Sequence, residues 1–212
     1  MNFASHPHLY IRQNRQLEFM ELVFATNNKH KIEEVQQLLK DKFRLLSLQD
    51  INCHEELAET GNTLEENASQ KANYIYKKFN ANCFADDTGL EIEALNGKPG
   101  VLSARYVGEE KDSEKNIEKV LNELQASKNR KARFKTIISL FINGKEYLFE
   151  GIINGKIADK KHGEKGFGYD PIFIPDGFNK SFAEMTMEEK NKISHRAFAI
   201  KKLAEFLNSL KN

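Results

Sequence analysis

The chain of 212 residues is poor in cysteine, nearly uncharged overall and without a long apolar run, and each shortage excludes something. Its two cysteines, Cys53 and Cys83, are too few for a disulfide framework and lack CxxC spacing, which points to a reducing compartment, the cytoplasm. A formal net charge of +1 provides no basic field for nucleic acid, so any anion site must be local. The densest apolar run, residues 137–142, is strand-sized, and no membrane association is expected. Residues 1–19 carry His6, Pro7, Arg12 and Arg15 without an apolar stretch, so they do not read as a signal peptide. They are expected to form a disordered extension, with residues 20–212 folding as a single domain. No GxxxxGK is present, nor any internal repeat or low-complexity segment. At 40% hydrophobic and 30% charged, the composition suits a soluble globular protein with a full core.

What is present centres on residues 83–106, CFADDTGLEIEALNGKPGVLSARY. Phe84 and Ala85 lead to adjacent carboxylates, Asp86 and Asp87, then Thr88 and Gly89. The order predicts a buried strand that ends by delivering its acids to a turn, where Gly89 permits unusual backbone angles. Neighbouring strand residues face opposite ways, so the two acids have different tasks unless the strand has already ended. Such acids suit a hard cation and the deprotonation of a water, and they equally suit plain turn chemistry. Arg105 supplies a nearby cation for a phosphate or for a carboxylate.

Before this stretch, residues 22–25 form a short apolar run, and Thr26, Asn27, Asn28, Lys29, His30 and Lys31 break it. Ile32, Val35 and Leu39 then recur at helical spacing. Strand, polar turn and helix with Lys31 in the opening turn make a phosphate cradle, or an ordinary capped helix. A second strand is predicted over residues 43–48, followed by an acidic loop containing Glu59. Thr63 opens a capping box, and the helix beyond it places Asn67 and Lys71 on one face.

After a helix capped by Asp112 or Ser113, residues 128–133 read as a solvated charged loop. Asn143-Gly144 marks a hairpin, and a further strand runs to Asn154-Gly155. In Gly166-Phe167-Gly168-Tyr169-Asp170, glycines flank a ring that can stack on a base or enter the core. Lys190 precedes Ser194, which caps a last helix predicted to bury Ala197, Ile200, Ala204, Leu207 and Leu210. His195 and Arg196 in its first turn sit at the positive end of the dipole, which favours a neutral imidazole. Such a pair is more often surface than site.

Five stretches, ATNNKHK (25–31), ETGNTLEENASQKA (59–72), FADDTGLEIEALNGKPGVLSARY (84–106), GFGYDPIFIP (166–175) and EEKNKISHRAFA (188–199), resemble in content and order the inosine triphosphate pyrophosphatase family. These enzymes hydrolyse non-standard purine nucleoside triphosphates. The resemblance implies an elongated, two-lobed α/β fold with a central mixed sheet flanked by helices, a nucleotide cleft between the lobes, a homodimer and Mg2+. It implies that Thr26, Asn27, Asn28 and Lys31, with Lys29 and His30 among them, hold the triphosphate. Glu59, Asp86 and Asp87 would serve the metal, with Asp87 as general base, and Lys71, Thr88 and Arg105 would face phosphate. Phe167, Gly168, Tyr169 and Asp170 would form the base and sugar pocket, with Lys190, His195 and Arg196 on the purine edge. Ala58 stands where many relatives have a second acid, and Thr88 where many have serine. Two other functions share these acids: a phosphatase releasing single phosphates, and a nucleotide sensor without turnover.

Overall fold

The computed structural model describes residues 20–39 and 43–210, and the expected extension, residues 1–19, lies outside them. In chain order the elements are β1 (Glu21–Phe24), α1 (Lys29–Leu39), β2 (Arg44–Leu46), α2 (Leu64–Phe79), β3 (Cys83–Ile92), β4 (Pro99–Gly100) and α3 (Ser113–Glu123). They continue as β5 (Lys131–Ile142), β6 (Lys145–Ile157), β7 (Phe173–Pro175), α4 (Met187–Ile193) and α5 (His195–Ser209). The described strands form one sheet in the order β2-β1-β3-β5-β6-β7, with β4 beside β3. The β1 pairings are parallel and the others antiparallel, so the sheet is mixed, as expected.

Local chemistry accounts for the elements. Leu22, Val23 and Phe24 are all buried, as a strand covered on both faces requires. The Thr63 hydroxyl accepts from the Glu66 amide, while the Glu66 carboxylate accepts from Asn62 rather than from the cap residue. Asn143 and Gly144 both take positive φ, the conformation a two-residue hairpin needs between β5 and β6. α1 and α5 cover one face of the sheet through Val35, Leu39, Ile200 and Leu203, and α2 covers the other through Ala72 and Ile75. A further core gathers α3, β7 and the far parts of β3 and β5 around Ile117, Phe134 and Phe173.

Four expectations need correcting. β3 does not end at its acids: it runs on to Ile92, paired with β5 throughout. Gly89 is there for space, since a Cβ at that position would lie 2.7 Å from the carbonyl oxygen of Gly100 on β4. The further strand expected to run to Asn154-Gly155 is not separate: β6 continues unbroken to Ile157, and a Cβ at Gly155 would meet the Ile174 carbonyl at 2.3 Å. The charged loop is shorter than expected: β5 begins at Lys131, and Arg130 donates to the carbonyls of Leu124, Ile157 and Ala158. On α5, Leu210 is exposed and the buried ridge runs through Leu203.

Gly151 on β6 sets how closely α5 approaches the sheet. A Cβ there would stand 2.0 Å from the His195 carbonyl oxygen and 2.5 Å from the Ala199 nitrogen, both backbone atoms. Gly151→Ala must therefore push the helix outward, with an expected loss of about 1–3 kcal/mol or more. Urea unfolding measures it, and an unchanged midpoint would show that α5 shifts freely.

Candidate active site

β3 passes between helices, so its alternation sends the two acids to different partners. Asp86 faces α1 and α5, where its oxygens accept from Lys31 Nζ at 2.9 Å, Arg196 Nε at 3.1 Å and Thr88 Oγ1 at 3.3 Å. Burial alone would raise its carboxyl, but Lys31 and Arg196 outweigh that and hold it well below the usual range. Asp87 faces α2 and accepts from Asn67 Nδ2 and the Thr88 amide, each at 3.0 Å. Its carboxyl lies above the ordinary 3.8, chiefly from burial, with Glu59 adding to the rise against the pull of Lys71 and Lys31.

Asn67 and Lys71 share the inward face of α2, as their spacing predicted, and both are buried. Lys71 Nζ donates to the Asp86 carbonyl oxygen at 2.8 Å, bonds Glu59 at 2.5 Å and lies 4.0 Å from Asp87. Glu59 is held from its other side by Arg105, which donates to its backbone carbonyl at 3.1 Å. Arg105 thus stands against Glu59, with its guanidinium 3.9 Å from that carboxylate. The Glu59 carboxyl is lowered: burial opposes ionisation, and Lys71, Lys31 and Lys111 overcome it.

The turn ahead of α1 is held by its own side chains. The Asn28 side chain accepts from the Lys31 amide at 3.2 Å, and the Thr26 hydroxyl accepts from the Asn28 amide at 3.2 Å. Lys31 reaches back to Asp86, and burial lowers its own ionisation more than that carboxylate restores it. Lys29 is exposed, and His30 lies against the Phe167 ring with centroids 5.3 Å apart and planes 11° apart.

At the other end, Asp170 accepts from the Phe167 amide at 2.9 Å and from Lys190 at 2.6 Å. Burial still holds its carboxyl above the ordinary value. Tyr169 donates its hydroxyl to the Ser103 carbonyl at 2.9 Å. Lys190 and Arg196 sit 5.0 Å and 5.6 Å from the Phe167 ring centre. His195 and Arg196 are buried, the unusual outcome for a first-turn pair, because α5 drives its N-terminus under the sheet. His195 stacks on Phe134 at 4.5 Å, and its Nδ1 has no hydrogen-bond partner. Burial, reinforced by Arg196 and Lys190, holds the imidazole neutral.

Glu34 is the residue that sequence reasoning missed. It accepts from Lys190 at 2.7 Å and Arg196 at 2.5 Å while only 3% exposed. The available signal was its spacing, three residues beyond Lys31 on one helix face.

These groups enclose a cavity of about 340 Å3. Thr26, Asn27, Asn28, Lys31, Glu59, Lys71, Asp87 and Thr88 line one part of it, with Phe167, Gly168, Tyr169, Asp170, Lys190, His195 and Arg196 completing the wall. Asp86, Arg105, Lys29 and His30 stand behind or beside it. Among the described residues no group of three or more His, Cys, Asp or Glu could hold a metal. Glu59 and Asp87 nevertheless direct carboxylate oxygens to one cation, the Lys71 ammonium, which is the donor set a hard divalent ion takes alongside phosphate oxygens.

The sequence pattern of the Ham1 family matches residues 22–206. The chain is 52% identical over 192 residues to a dITP/XTP pyrophosphatase of Flavobacterium johnsoniae, spanning 91% of this chain and 100% of that protein. It is 48% identical over 193 residues to a dITP/XTP pyrophosphatase of Bacillus subtilis, spanning 89% and 98%. The solved structure of the Staphylococcus aureus Ham1 protein superposes with a TM-score of 0.81 at 43% identity, covering 89% of this chain and 98% of that one. A HAM1 protein from Coxiella burnetii gives a TM-score of 0.82 at 37% identity, covering 90% and 100%.

Proposed function

This chain belongs to the Ham1 family, and from that membership we propose that it hydrolyses dITP, XTP and ITP to the monophosphate and pyrophosphate. The single observation that carries the reading is the buried Asp87 carboxylate, held by Asn67 and the Thr88 amide in the same cavity wall as Glu59 and the polar turn ahead of α1.

The side chains of Thr26, Asn27 and Asn28, the Lys31 ammonium and the positive end of α1 bind the triphosphate. Asn67 and the Thr88 amide hold the Asp87 carboxylate in place, leaving it to orient a water and take its proton as that water attacks the α-phosphorus. Lys31 and Lys71 stabilise charge as the pyrophosphate departs. Glu59 and Asp87 would hold the magnesium ion, whose positive charge would offset that of the phosphates. Asp86, with its oxygens directed to Lys31, Thr88 and Arg196, acts as the counter-ion that fixes those cations.

The buried, unpartnered Nδ1 of His195 supports a role in reading the purine edge. Lys190 commits two of its three N–H donors to Glu34 and Asp170, and one remains for a base oxygen. Hypoxanthine and xanthine carry that oxygen at position 6, whereas adenine's amino group would leave the donors unpaired. Two buried free cysteines support a reducing compartment, and no helix among the described residues is long and apolar enough to cross a membrane. The reading extends to the cytoplasm and to a homodimer, on the family resemblance.

Release of pyrophosphate from dITP, XTP, ITP, GTP and ATP, with and without Mg2+, is the test. Pyrophosphate from the first three, dependent on metal and well above that from ATP, is the expected result. Free phosphate alone, or tight binding without turnover, would replace the reading by a phosphatase or a sensor.

A further inference from the structure

Among the described residues, the cations lining the cavity are Lys31, Lys71, Lys111, Lys190 and Arg196. Four of them are tied to carboxylates with little exposure: Lys31 to Asp86, Lys71 to Glu59, Lys190 to Glu34 and Asp170, and Arg196 to Glu34 and Asp86. Each of these stays with its carboxylate and can offer a ligand only the donors that pairing leaves over. Lys111, on the loop ahead of α3, is different. Its partner is Glu56 at 3.0 Å, and the two side chains are 48% and 82% exposed. A pair that open to solvent contributes little, so the Lys111 ammonium can exchange Glu56 for another anion almost freely.

Its position indicates which anion. Glu56 and Glu59 belong to one loop, both line the cavity as Lys111 does, and Lys111 Nζ stands 3.0 Å from Glu56. The ammonium therefore stands at the end of the cavity where Glu59, Lys71 and Asp87 meet, rather than among the rings around Phe134.

We infer that Lys111 leaves Glu56 to bind the terminal phosphate of the triphosphate, and then the departing pyrophosphate, making it a leaving-group residue supplied by the loop ahead of α3. The inference rests on the reading of this cavity as a nucleoside triphosphate cleft. It also explains how a wall whose other charges are internally balanced still attracts a polyanion.

Calorimetric titration of the full chain with pyrophosphate and, separately, with inosine monophosphate, both in Mg2+, tests it. Lys111→Met is expected to weaken pyrophosphate binding about 10-fold, the worth of one hydrogen bond to a charged group. Affinity for the monophosphate should hold, since that product lacks the phosphates Lys111 touches. Lys111→Arg should restore most of the loss, and Glu56→Gln should tighten pyrophosphate binding about two-fold by freeing the ammonium. Unchanged pyrophosphate affinity in Lys111→Met, or an equal loss for both products, overturns the role of Lys111 alone. Absence of pyrophosphate binding by the unaltered protein overturns it together with the functional reading. Binding needs no turnover, so the result is distinct from the release assay.

Discussion

Asp87→Asn is expected to lower kcat by about 10²–10⁴-fold, the usual worth of a positioned general base. Asparagine keeps the shape and can still accept from Asn67 or from the Thr88 amide, but it cannot take a proton from water. The variant should fold. Burial already pushes the Asp87 carboxyl toward its neutral form, so a neutral amide at that position removes an unfavourable charge. Lys71 retains Glu59 as its counter-ion. Loss of turnover should therefore come with measurable substrate binding, read by steady-state kinetics and calorimetry on one preparation. A rate within about ten-fold of the unaltered enzyme would remove Asp87 from the role of base.

The second large effect lies in Glu34. Lys31, Lys190 and Arg196 are balanced by Glu34, Asp86 and Asp170, all six buried or nearly so. Glu34→Ala leaves one positive charge in that network without compensation. Removing one partner from a buried pair costs about 3–5 kcal/mol, and the loss is expected as a lowered urea midpoint. A shift of less than about 1 kcal/mol would mean that water reaches the network and screens it.

The same residue sets a pH dependence. Burial raises the Glu34 carboxyl, but Arg196 and Lys190 pull it below 4.5 overall. A carboxyl depressed in the folded state contributes stability above its unfolded pKa and loses it as pH falls through its folded one. Asp86, depressed for the same reason, adds to this, while Asp170, raised by burial, opposes it. Net stability from the network should thus decline below about pH 4.5 in the unaltered chain, and the decline should be shallower in Glu34→Ala.

Local patterns in the chain were enough to identify most elements and many of the residues that meet in the cavity. Thr63, Asp112 and Ser194 cap the helices they were expected to cap. Asn143-Gly144 turns the hairpin, and the alternation along β3 sends Asp86 and Asp87 to opposite faces. Caps, turns and alternation are settled by interactions within a few residues, so they can be read from neighbours alone.

Only the tertiary structure decided what those residues touch. Gly89 looked like a turn signal and Gly155 like the end of a strand, and both proved to be points of close backbone approach, a property of the strand opposite. Glu34 went unread in the sequence because its partner Arg196, which comes within 2.5 Å, lies 162 positions away. His195 and Arg196 became interior groups because Gly151 admits α5 against β6. Which charges neutralise one another, and which lysine stays loosely held, depends on distances across the folded sheet. Those distances are products of packing, and no spacing along the chain encodes them.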